Sequence, residues 1–242
     1  MIKRLMRILL FCLVGFNVHA QDPVTVKHSI TIAGKKLDYT TQTGYLNLKN
    51  DTGKVIAHVF FTYYKKEGED VGKRPVTFTF NGGPGSASVW LHMGGLAPKR
   101  VALADDGTAP APPYGLVSNE YTWLDKTDLV FIDPVSTGYS RAASGENPKQ
   151  FHGYLEDISS MGSFIRNFLS KYERWASPKF LAGESYGTTR AAGLSKLLQD
   201  RYRIYINGIF LISAVLNFGT NDYYVGNDLP RALYIPSFTA AA

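Results

Sequence analysis

Residues 24–65 alternate apolar and polar side chains in short runs broken by turn chemistry. "VTVKHSITI" runs into "AGKK", and "YLNLK" and "VIAHVFFTYY" flank "NDTGK". Period two places every second side chain on one face, and an Asp-Thr-Gly-Lys turn suits a hairpin, so this stretch predicts a β-meander. Further on the pattern changes. "PVTFTF" (75–80) and "DLVFID" (128–133) are short runs of the kind that form buried strands, and "KFLA" (179–182) and "INGIFLIS" (206–213) predict two further strands.

Between these runs lie helical spacings. Phe151, Tyr154, Leu155, Ile158, Met161, Phe164, Ile165, Phe168, Leu169 and Tyr172 recur at three and four residues, a stripe for core packing. Asn147 is expected to cap this helix, with Pro148 in its first turn. Residues 188–200 predict a second helix, and "VWLHMGGL" a helical turn. Residues 65–74 read as a polar connection and 105–116 as a proline-rich surface loop. Hairpins followed by strands alternating with helices predict an α/β fold: a mixed, mostly parallel sheet flanked by helices. The tail "YIPSFTAAA" carries no stop signal and reads as the start of further chain.

The first 20 residues do not fit this pattern. "MIKRLMR" is basic, "ILLFCLVGFNV" is an apolar run too short to span a bilayer, and "VHA" ends on small Ala20. Residues 1–20 are therefore expected to be a secretory signal peptide, leaving 21–242 as the domain. Removing them takes away Lys3, Arg4 and Arg7 and leaves 23 basic against 20 acidic residues, a net charge of about +3 instead of +6. The remaining Lys and Arg are dispersed, which argues against nucleic acid as a partner. The only cysteine, Cys12, leaves with the leader, so neither a disulfide nor a cysteine metal site is expected. Export without disulfides suits a bacterial periplasm. Stable membrane insertion is not expected, and oligomeric state is left open.

The chemistry concentrates in two glycine-framed stretches. "GESYG", Gly183–Gly187, sits where a strand ends and a helix begins. A nucleophile on so sharp a turn is lifted above the sheet, and the turn leaves little room for side chains two residues to either side. The helix start aims backbone N–H groups at developing negative charge. "NGGPG", Asn81–Gly85, follows another strand, where glycines let backbone approach a substrate oxyanion closely. Either stretch alone describes a tight turn. Together they point to a hydrolase with Ser185 as nucleophile.

With "NEYTWLDKTDLVFIDPVSTGYS" (119–140) between them, these motifs resemble the serine carboxypeptidases over residues 44–220 or so. The resemblance implies an α/β-hydrolase fold that removes C-terminal residues from peptides without a cofactor. Ser185 would attack the carbonyl, with the N–H groups of Gly83 and Tyr186 as the oxyanion hole. Asn81, Gly82 and Glu184 would bind substrate, and Asn81 and Glu184 would hold its free C-terminal carboxylate. Glu184 would need a proton for that role, since two carboxylates repel, which favours activity in acid. Thr79 and Gly95 stand where the family often has Trp and Glu, so the exopeptidase specificity rests on fewer residues than the hydrolase fold. Asp133 is expected to be structural.

An α/β-hydrolase places its acid and then its histidine after the nucleophile. Here His19, His28, His58, His92 and His152 all precede Ser185, and only Asp200, Asp222 and Asp228 follow it among acids. The chain is therefore expected to be the N-terminal half of an enzyme, with its fold cut before the last strands and its catalytic Asp and His beyond Ala242. Two other readings use the same residues: an esterase or acyltransferase on this scaffold, or an inactive relative that binds without catalysis.

Overall fold

The computed structural model describes residues 22–242, so the expected leader lies outside the described residues. Three strands open the fold: β1 (Val24–Ile32), β2 (Lys35–Lys49) and β3 (Val55–Lys66), antiparallel in sequence order. The meander is the one its alternation predicts. Ala33 and Gly34, both at positive φ, make the first turn, and Asn50 Oδ1 holds the second by accepting from the N–H groups of Thr52 and Lys54.

The next elements are β4 (Val76–Phe80), a single turn α1 (Val89–Leu91) that widens into a π-helical turn (His92–Leu96), and a small hairpin of β5 (Lys99–Val101) with β6 (Leu116–Ser118). Then follow β7 (Asp128–Ile132), the two-residue β8 (Arg141–Ala142), α2 (Tyr154–Lys171), β9 (Lys179–Glu184), α3 (Tyr186–Tyr202), β10 (Gly208–Ile212) and α4 (Leu229–Ala241). Among the described residues the main sheet runs β1-β2-β3-β7-β4-β9-β10, with β8 against β3. β7, β4, β9 and β10 are mutually parallel, and this half carries the motifs.

Every residue of β4 and β7 is buried, including Thr77, Thr79 and Asp128, whose polar side chains are hydrogen-bonded in the interior. On one face Phe61, Phe78, Phe164 and Phe168 join Leu194 and Leu198, packing α2 and α3 on the sheet. On the other, Tyr39, Tyr64, Leu129 and Phe131 meet Leu91 and Leu96 of the turns after β4.

Three expectations need correction. Asn147 caps a 3₁₀ turn, Pro148–Phe151, and not the long helix, which begins only after Gly153 in extended conformation. Tyr154 and Leu155 accordingly fall on the solvent side and are exposed. The connection 65–74 is not wholly solvated, because Arg74 is buried and its Nε donates to Asp128 Oδ1 at 2.6 Å. The last element, α4, has Pro230 in its first turn and Pro236 within it, a region for which the sequence pattern made no secondary-structure assignment. No described helix is long and apolar enough to cross a membrane.

Candidate active site

β9 delivers Gly183 and Glu184 to the edge where parallel strands end, and α3 starts at Tyr186. Ser185 is the single residue between them, at φ 55° and ψ −127°. That backbone region is all but closed to residues with a Cβ, and an observed outlier of this kind marks a residue whose direction matters. The turn is possible only because its neighbours are bare: a Cβ on Gly183 would stand 2.0 Å from the Gly187 carbonyl oxygen. Ser185 N–H donates to Ile212 O at 3.0 Å, so β10 holds the turn from the side.

The "NGGPG" loop lies directly against this elbow. A Cβ on Gly82 would come within 2.5 Å of Tyr186 N and 2.7 Å of Glu184 O. Gly82 is thus glycine because the two loops touch backbone to backbone. Tyr186, as the first residue of α3, has no acceptor one turn earlier for its N–H. The Gly82 carbonyl accepts from Ser86 N–H at 3.0 Å. In the planar trans peptide that follows, the Gly83 N–H must point the opposite way.

Asn81 is 1% exposed and spans the two loops. Its Nδ2 donates to Glu184 Oε2 at 3.0 Å, and its Oδ1 accepts from Leu91 N–H at 3.0 Å. The six sequence-predicted residues, Asn81, Gly82, Gly83, Glu184, Ser185 and Tyr186, therefore form one cluster. The histidines lie elsewhere. His92 Nε2 pairs with Tyr64 Oη at 2.7 Å, its ring stacked on Phe131, and His152 Nε2 pairs with Ser136 Oγ at 3.0 Å. Asp133 accepts from the N–H groups of Ser88 at 2.9 Å and Tyr139 at 3.3 Å, tying the turn after β7 to the start of α1. Burial pushes its carboxyl up.

The sequence reading missed one participant. Arg190, fully buried on α3, donates to Asp157 through Nε (3.0 and 2.8 Å), to Asn81 O through Nη1 (2.7 Å) and to Pro84 O through Nη2 (3.3 Å). Nothing in a helical "TTRAAG" distinguishes such an arginine from one on a solvent face. Thr79 and Gly95 are taken up by structure: the Thr79 hydroxyl donates to Val130 O at 3.1 Å, and Gly95 O accepts from Asn119 Nδ2 at 2.6 Å.

A mixed sheet clasped by helices, with a strand–serine–helix elbow at the end of its parallel half, defines the α/β-hydrolase fold. Comparison with known proteins sharpens this. Residues 32–229 match the serine carboxypeptidase family, and the chain belongs to that family. It is 26% identical over 192 residues to serine carboxypeptidase-like 33 of Arabidopsis thaliana, covering 77% of this chain and 36% of that protein. It is 32% identical over 165 residues to the pheromone-processing carboxypeptidase KEX1 of Cryptococcus gattii, covering 66% and 22%. The chain thus spans between about a fifth and two fifths of the length of the curated relatives it matches. Among solved structures, a prohormone-processing carboxypeptidase from Saccharomyces cerevisiae superposes with a TM-score of 0.56 at 19% identity, over 84% of this chain and 46% of the other. That likeness is one of fold.

Proposed function

We propose that this chain is part of an exported serine-type carboxypeptidase that takes single residues from the free C-terminus of peptides. The observation that carries the reading is the hydrogen bond from Asn81 Nδ2 to Glu184 Oε2, beside Ser185. An amide donor and a carboxyl group held together next to a nucleophile suit a substrate carboxylate better than a neutral ester, provided one proton is shared between the two acids. Ser185 Oγ adds to the scissile carbonyl, and the N–H groups of Gly83 and Tyr186 receive the oxyanion. The collapse expels the C-terminal amino acid and leaves an acyl-serine, which water then hydrolyses.

The proton leaving Ser185 Oγ needs a base. His92 and His152 are engaged elsewhere, so we assign the histidine and its orienting acid to residues outside the 242, as in the Ser…Asp…His order of α/β-hydrolases. The exposure of Ile209, Phe210 and Leu211 on β10, about 40% each, supports further chain packing there. Residues 1–20 are proposed as the export signal to a bacterial periplasm.

The test uses the full-length gene product on matched peptides ending in a free carboxylate or an amide. Hydrolysis of the free acid alone, lost in Ser185→Ala, is the expected result. Equal turnover of the amide, or of simple esters in preference to both, overturns the exopeptidase reading. An esterase or acyltransferase on the same scaffold is the second reading, since the elbow and oxyanion loop serve any acyl transfer.

A further inference from the structure

The buried Arg190–Asp157 pair sits directly behind the glycine loop, and its contacts are more specific than a stabilising role requires. Asp157 comes from the first turn of α2, Arg190 from the second turn of α3. Its two terminal nitrogens donate to two backbone carbonyls, Asn81 O and Pro84 O. Its Cζ lies 5.5 Å from the Phe80 ring centre and 5.1 Å from that of Tyr186. One guanidinium therefore touches both helices, the end of β4, both ends of the glycine loop and the residue after Ser185.

The two carbonyls bracket Gly82 and Gly83. Asn81 O shares a rigid peptide plane with Gly82 N–H, and Pro84 O shares one with Gly85 N–H. Of the two planes between them, the one that carries Gly83 N–H is pinned at Gly82 O by Ser86 N–H. With the planes on both sides fixed, glycines that could otherwise rotate freely keep Gly83 N–H in one direction. Only a planar fork can reach a carboxylate and two carbonyls at once, so lysine could not replace it. A buried ion pair contributes little net stability over an apolar pair of the same size, which leaves its presence here in want of another reason.

We infer that Arg190, oriented by Asp157, is a positioning residue that sets the oxyanion loop for attack by Ser185. The inference rests on the carboxypeptidase reading for its kinetic part only. In the full-length gene product, Arg190→Lys keeps the charge opposite Asp157 but loses the fork. It should lower kcat about 10- to 100-fold with KM within about twofold, since the oxyanion exists only past the ground state. Amide exchange at Gly82, Gly83 and Gly85 should rise about tenfold or more, while that of β3 stays unchanged. Arg190→Met with Asp157→Leu replaces the pair by apolar groups; melting should return toward wild type with kcat still low and loop exchange still fast. Recovery of kcat together with melting temperature would show a purely structural pair and overturn the inference, as would unchanged loop exchange in Arg190→Lys. Absence of hydrolysis in the wild type would sink the carboxypeptidase reading, whereas loop exchange would still decide whether Arg190 fixes the loop.

Discussion

Asn81 is held from both ends of its amide: Oδ1 by Leu91 N–H and Nδ2 toward Glu184, each at 3.0 Å, although Asn81 and Glu184 lie 103 residues apart in the chain. The first bond fixes which way the amide faces, and so makes the second a donor toward the carboxyl group. Asn81→Ala should do two separable things. It leaves the buried Leu91 N–H without its acceptor, a loss of about 1–3 kcal/mol in stability. It also removes the donor we propose for the substrate carboxylate, so KM for free-acid peptides should rise about tenfold, with ester turnover changed far less. Steady-state kinetics on both substrate types, with thermal melts, check this; equal loss on both types would remove Asn81 from carboxylate binding.

Among the described residues, Asp128 is the one carboxylate held between two buried guanidinium groups. Arg74 Nε meets Oδ1 at 2.6 Å and Arg174 Nη1 meets Oδ2, while Arg174 also donates to Tyr63 Oη at 2.6 Å and to Arg74 O at 2.8 Å. Asp128→Asn strands two cations in the interior. A cost of about 3–5 kcal/mol is expected in urea unfolding. The site is at the other end of these strands, so the kcat of the fraction that folds should hold.

How much of this was legible beforehand depended on what kind of signal each element carries. The buried strands were, because β4 and β7 are short runs dominated by Val, Phe, Leu and Ile and are bounded by turn residues. So was the site cluster, because glycines are demanded by backbone contact and stay visible as letters, Gly82 and Gly183 above all. The start of α2 was misplaced because Asn147 is a good cap wherever it stands, and only Gly153 in extended backbone reveals a second start. Arg74, Arg174 and Arg190 were opaque. A charged residue reads as solvated until its partner, 54, 46 or 33 residues away, is brought to it by the fold.

His92 makes stability depend on pH. Burial holds its imidazole down to about 4, against about 6.5 in an unfolded chain. On lowering pH the unfolded state takes up a proton through 6.5, while the folded state resists until about 4. The stability owed to neutral His92 is therefore complete above pH 6.5, declines below it and is gone by about pH 4. Asp133 and Asp157 oppose this, since burial raises both carboxyls and the folded state binds their protons more readily in acid. His92→Gln retains a polar partner for Tyr64 but does not titrate. Melting temperature against pH should be flatter in the variant between 6.5 and 4, by an amount corresponding to about 3 kcal/mol at most. Parallel curves would mean that His92 is not kept neutral.

The backbone of Ser185 carries the last prediction. At φ 55° and ψ −127°, serine and alanine suffer the same clash between Cβ and the chain, and glycine does not. Ser185→Ala and Ser185→Gly both remove the hydroxyl and should be equally inactive, yet they should differ in stability. Relief of an outlier of this kind is worth about 1–3 kcal/mol. The greater freedom of glycine in the unfolded chain takes back about 0.5–1 kcal/mol. Ser185→Gly should thus melt above Ser185→Ala by a few degrees, roughly 2–4 °C per kcal/mol for a domain of this size. The order of the two melts distinguishes a strained elbow from a relaxed one, because a relaxed turn would let alanine win through its lower entropy. A higher melt for Ser185→Gly would mean that the fold holds its serine in place against the local preference of the chain.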